Sequence, residues 1–114
     1  RSFYVLHGSL PVLAYRFDQP GDPPRSAAYV TDVSSIPPES MDQLCGLDLL
    51  ILDAVRFHPH PTHFGLYQSL DIVEKLKPRQ ALFTHLSHYF DHDTVNEQLP
   101  SYAQLAFDGQ VIAL

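Results

Sequence analysis

The pattern of apolar and polar positions changes character along the chain, and each change marks an element. Phe3 to Leu6 and Val12 to Phe17 read as two strands separated by the turn-like His7-Gly8-Ser9-Leu10-Pro11, so together they predict a hairpin with His7 in its turn. Asp18 to Ser26 is dense in Pro, Gly and Asp, the chemistry of a surface loop. Ala27-Ala28-Tyr29-Val30 resumes a strand and gives way to the polar Thr31-Asp32-Val33-Ser34-Ser35. Pro37 to Gly46 has proline in its first turn, an acidic start and a terminal glycine, which punctuates a short helix. Leu49-Leu50-Ile51-Leu52 is unbroken and apolar, a deeply buried strand with Asp53 at its end.

Phe57-His58-Pro59-His60-Pro61-Thr62-His63 is too rich in proline for regular structure. From Phe64 to Leu76, residues Leu66, Leu70, Val73 and Leu76 recur at three- and four-residue steps and predict a helix with one apolar face. Ala81-Leu82-Phe83, entered from Lys77-Pro78-Arg79, suits a strand covered on both faces that ends at Thr84-His85. A helix is expected from about Asp93 to Leu99. Gln104 to Phe107 and Val111 to Leu114 flank Asp108-Gly109, a two-residue hairpin signal. Strands alternating with helices predict one α/β domain over residues 1–114, with a mixed sheet and about three helices. In such sheets ligands bind beyond the carboxyl ends of the strands, where Asp32, Asp53 and His85 all fall.

Composition narrows the chemistry. With 114 residues and 45% hydrophobic content the chain is long enough for a real core. A formal charge of −6 with only 7 Lys+Arg argues against a nucleic-acid footprint, which needs clustered cations. Lys75, Lys77 and Arg79 are the nearest to a cluster, and they suit a solvated helix end. The single Cys45 excludes an internal disulfide and a multi-thiolate zinc site, which makes a cytoplasmic protein the default. No apolar run is long enough to cross a bilayer and no signal-peptide pattern is present. A first residue of Arg1, running straight into a strand-like segment, points to a piece of something longer. Of the 7 His, all but His7 lie between His58 and His92, and that crowding points to a metal or acid-base site. Imidazole and carboxylate together suit zinc, manganese or iron. Strand-end carboxylates also serve as loop caps, and His58 and His60 read as plain loop residues.

Several blocks in order carry a resemblance. Tyr29-Val30-Thr31-Asp32-Val33-Ser34, Leu50-Ile51-Leu52-Asp53-Ala54, Pro61-Thr62-His63-Phe64 and Leu82-Phe83-Thr84-His85-Leu86-Ser87-His88 resemble the second half of the metallo-β-lactamase-fold hydrolases. The match is to the branch of the phosphoribosyl cyclic phosphodiesterase of phosphonate breakdown. His7 to Arg16 resembles that family's segment with its third metal-binding histidine motif, and Leu105-Ala106-Phe107-Asp108-Gly109 extends the likeness. The resemblance implies half of an αββα sandwich and a two-metal phosphodiesterase, with zinc or manganese, acting on a small cyclic or diester phosphate. It implies that His7 binds one metal, Asp32 bridges both, and His85 binds the second. His63 would be the catalytic acid near the leaving group. His88 would contact the substrate phosphate, or else be a loop residue held by Asp91. Asp53 would stand behind a metal-bound histidine and fix its tautomer, or cap a loop.

The chain departs from that family in one respect. The first motif, His-x-His-x-Asp-His, is absent, so three ligands divided between two metals form an incomplete site, and the isolated chain is expected to hydrolyse little. The sheet face that meets the other half of the sandwich would lie in water as an apolar patch. Its cover is expected from the missing N-terminal half, another chain, or self-association. Alternative readings are a tRNA 3′-processing endoribonuclease, disfavoured by acidic charge and the short interval between His7 and Asp32, and a non-catalytic interaction domain on the same fold.

Overall fold

Six of the apolar runs become strands of one sheet in the computed structural model, which describes residues 1–54, 64–84, 86 and 92–114. The elements are β1 (Ser2–His7), β2 (Leu10–Gln19), β3 (Arg25–Val30), α1 (Pro38–Met41) running into a 3-10 turn (Asp42–Leu44), β4 (Leu49–Asp53), α2 (Leu66–Leu76), β5 (Gln80–Thr84), α3 (His92–Gln98) and β6 (Ala103–Leu105). The six strands lie side by side in chain order. β1, β2 and β3 form an antiparallel meander, and β3 to β6 are mutually parallel. Two antiparallel steps return the chain to its first direction, so β1 also runs the same way as β3 to β6.

This topology decides which face is covered. Each parallel crossover moves one strand further in the same direction, and right-handed crossovers of that kind set their helices on the same side. Phe3 and Val5 of β1, Ala14 of β2, Ala28 and Val30 of β3, Leu50 and Leu52 of β4, Ala81 and Phe83 of β5, and Ala103 and Leu105 of β6 meet Leu44, Phe64, Leu66, Val73 and Val95 in one core. Burying each of the larger side chains contributes about 1.5–3 kcal/mol relative to exposure. Strand register puts the alternate residues on the other face: Tyr4 opposite Leu13, Tyr15 opposite Tyr29, Phe17 opposite Ala27. There Tyr4 is 61% and Phe17 60% exposed, with Leu13, Tyr15 and Tyr29 also exposed. Leu49 and Leu82 are buried but stand apart from the main core.

The outer edge of β1 is blunted, since Leu6 bridges Ser35 and the Ser40 hydroxyl donates to the Tyr4 carbonyl at 2.5 Å. Hairpin, loop and helices thus follow the sequence expectation with three differences. His7 is the last residue of β1, paired with Leu10, and the turn is Gly8-Ser9, where Gly8 has φ +64°. The surface loop is confined to residues 20–24, because β2 and β3 extend into both of its flanks. The Asp108-Gly109 hairpin does not form. Gln110 does turn back to the Phe107 carbonyl, but residues 110–114 make no strand and Val111 is 90% exposed. A turn signal is local, whereas a strand needs an edge and a face to pack on. β6 takes its partner from β5 instead, in parallel.

Candidate functional site

The carboxyl ends of β1, β3, β4, β5 and β6 all lie along one rim of the sheet, a consequence of their common direction. His7 closes β1, Asp32 stands two residues beyond β3, Asp53 closes β4 and Thr84 closes β5. The segment after β3 is sewn to the end of β1: the Leu6 N–H donates to the Ser35 carbonyl at 2.9 Å, the Ser34 N–H to the Leu6 carbonyl at 2.8 Å, and the Gly8 N–H to the Ser34 hydroxyl at 2.9 Å. His7 is therefore flanked on both sides by residues tied to the segment that carries Asp32.

Asp53 is fully buried, and its two carboxylate oxygens accept from the backbone N–H groups of Asp32, at 3.1 Å, and Val33, at 2.7 Å. Asp32 sits in the left-handed region at φ +57°, uncommon for a residue with a side chain. The Val33 carbonyl in turn accepts from the Phe64 N–H at 2.7 Å, and the Ser69 hydroxyl of α2 donates to the Asp53 carbonyl. Asp53 thus caps the loop after β3 through its bonds to the Asp32 and Val33 N–H groups. His63, His85, His88 and Asp91, like His58 and His60, lie outside the described residues.

Further along the rim is a cavity of about 320 Å³ lined by Thr84, Leu86, Ala106, Phe107 and Asp108. The Phe107 ring is 56% exposed and meets His92 edge to face, with centroids 6.4 Å apart. Asn96 ties α3 to β6: its Oδ1 accepts from the Leu105 N–H at 2.7 Å, and its amide nitrogen lies 3.3 Å from His92 Nδ1. Phe107 was legible as the end of a strand and Asp108 as part of a turn, and nothing in their spacing tied them to α3. Two larger cavities, of about 420 and 590 Å³, lie at the opposite ends of the strands, around Arg25, Asp48 and Arg79. There Asp48 already pairs with both guanidinium groups, at 3.8 and 3.3 Å, so those cavities offer no free cluster of charge.

His7 and Asp32 supply one imidazole and one carboxylate to the rim, donors whose chemistry fits a borderline divalent metal. Among the described residues no group of three or more His, Cys, Asp or Glu side chains is placed to hold an ion. No helix among them is long and apolar enough to cross a membrane.

A sheet of this order with ligating residue types on one rim defines a class, and the chain belongs to it: the model of the β-lactamase superfamily domain matches residues 1–86. The crystal structure of a diphosphatase from the PhnP family superposes with a TM-score of 0.86 and 49% identity, over 96% of this chain and 40% of that one. Human tRNase Z, short form (ELAC1), superposes at 0.74 with 18% identity, over 98% of this chain and 41% of that one. The metallo-β-lactamase-fold protein YhfI from Bacillus subtilis superposes at 0.69, also with 18% identity, over 92% and 45%. At that identity the last two show the fold, which is the metallo-β-lactamase fold. An octanoyltransferase of Porphyromonas gingivalis is 28% identical over 107 residues, 92% of this chain but 20% of that protein. The chain thus spans less than half the length of each of these relatives.

Proposed function

We propose that this chain is the C-terminal half of a metal-dependent phosphodiesterase that hydrolyses a small cyclic or diester phosphate. What carries the reading is the common rim, which gathers His7 and Asp32 from separate strands beside the carboxyl ends of β4 and β5. In this reading His7, Asp32 and His85 hold two divalent ions, zinc or manganese. Such ions, when bound, neutralise charge on the phosphoryl oxygens. His63 donates a proton to the leaving alkoxide, a role that typically contributes about 10²- to 10⁴-fold. His88 binds the phosphate, and Asp53 and Asp91 support the residues in front of them. The hydrogen bond from the Phe64 N–H to the Val33 carbonyl supports the pairing of His63 with Asp32, since it ties the residue after one to the residue after the other. A 49% identical relative bearing the name diphosphatase fits phosphoryl chemistry. The bare aromatic face fits a sheet that the remainder of the protein covers, and the acidic charge of −6 disfavours an RNA substrate.

The test uses the protein as encoded, with bis(p-nitrophenyl) phosphate as substrate. Chelation should abolish turnover and manganese or zinc should restore it. His7→Ala and Asp32→Ala should each lower kcat/KM by about 10²-fold or more, equivalent to about 2.7 kcal/mol of transition-state stabilisation. Turnover indifferent to chelation, or undiminished in Asp32→Ala, overturns the reading.

A further inference from the structure

We propose that Asp53 is a positioning residue whose carboxylate builds the rim before any ligand arrives, by holding the backbone of Asp32 in its left-handed conformation. The inference rests on the reading of Asp32 as a metal ligand. Two observations combine. Asp32 has φ +57°, a conformation that L-residues with a side chain adopt at a cost and retain only where the surroundings hold it. The group that holds it is a fully buried carboxylate spending both oxygens on two successive backbone N–H groups, those of Asp32 and Val33. A carboxyl group is suited to this task because its two oxygens stand side by side as acceptors for two successive N–H groups.

The clamp reaches further than Asp32. With its N–H on Asp53, Val33 turns its carbonyl to the Phe64 N–H at 2.7 Å, which fixes the entrance to α2. The Ser69 hydroxyl on the first turns of that helix donates back to the Asp53 carbonyl and closes the circuit. Asp53 is thus the hub through which the segment after β3, the end of β4 and the start of α2 share one geometry. This is a different action from fixing a histidine tautomer, because it works through the main chain of the neighbouring strand end.

Asp53→Asn is nearly isosteric but turns an NH₂ group toward one of the two N–H donors. In the intact protein, calorimetric titration with manganese or zinc should show affinity reduced by about 10- to 100-fold, the range for groups that support a ligand. Ser40→Ala, which removes a hydroxyl-to-carbonyl bond at the outer edge of β1, should lower the melting temperature and leave metal affinity unchanged. If Asp53→Asn behaves like Ser40→Ala, the proposal is overturned. If Asp53→Asn does not fold, amide exchange in the unmodified, metal-free protein decides: the Asp32 and Val33 amides should exchange as slowly as those of β4, and fast exchange refutes a prebuilt clamp. Should the unmodified protein bind no metal, the assignment of Asp32 as a ligand fails, and the exchange result still judges the clamp.

Discussion

Asp48 shows how much of this fold is held by single carboxylates. It accepts the Ser26 N–H at 2.8 Å and meets Arg79 at 3.3 Å and Arg25 at 3.8 Å, so it ties together the starts of three parallel strands. The Ser26 N–H, helped by the two guanidinium groups and opposed by burial, holds its pKa below the ordinary 3.8. A carboxylate with a depressed folded pKa contributes stability above its unfolded pKa, and that contribution is lost as pH falls through the folded value. Asp48→Asn should therefore be less stable than the native protein at pH 7. The difference should shrink toward zero as the pH is taken well below the ordinary carboxylate range. Urea denaturation at neutral and at acid pH reads this out, and an unchanged difference would contradict it. Asp53 and Asp48 are both acids at a strand boundary, and in the sequence they look alike. One faces the rim and clamps a loop, the other faces the opposite end and joins ion pairs. No local pattern separates them, because their partners lie some twenty to thirty residues away in the chain.

At the scale of elements, α2 was legible from its apolar periodicity, and Leu66 and Val73 are buried, with Leu70 and Leu76 partly so. Ser69, also fully buried, interrupts the expected face, and its hydroxyl is satisfied by the Asp53 carbonyl. The helix stops at Lys77, which adopts φ +49° while its N–H donates to the Val73 carbonyl at 2.8 Å. Glycine is the residue this cap favours. A left-handed L-residue costs about 1–2 kcal/mol, partly offset by the greater freedom of glycine in the unfolded chain, about 0.5–1 kcal/mol. Lys77→Gly should accordingly stabilise the protein by roughly 0.5–1 kcal/mol, seen as a higher denaturation midpoint at unchanged slope. The Asp108-Gly109 signal misled for the opposite reason. Turn chemistry was right at Gly109, with φ +81°, but no second strand lies on the sheet after it.

At the scale of the whole molecule, the sheet has one face under helices and one with Tyr4, Leu13, Tyr15, Phe17 and Tyr29 in solvent. Contiguous apolar surface of this kind marks an interaction site or an aggregation liability. The isolated 114-residue chain should bind a hydrophobic dye and self-associate with rising concentration. Tyr15→Glu together with Phe17→Lys should suppress both without loss of helix signal, because neither side chain enters the core. Sedimentation showing an unmodified monomer at high concentration, with no dye binding, would count against a face built for another sheet.

What the sequence determined by itself was most of the elements and the polar residues that follow the buried strands. Continuous apolar runs leave a strand no solvated face, and a 3.6-residue period leaves a helix only one buried side, so β3, β4, β5 and α2 could be read directly. Tertiary structure alone decided that these ends share a rim, that Asp53 serves the backbone of Asp32, and that β2 leaves Leu13, Tyr15 and Phe17 on an uncovered face. The physical reason is that direction, crossover hand and long-range hydrogen bonds are properties of strands relative to one another, and no stretch of residues carries them alone.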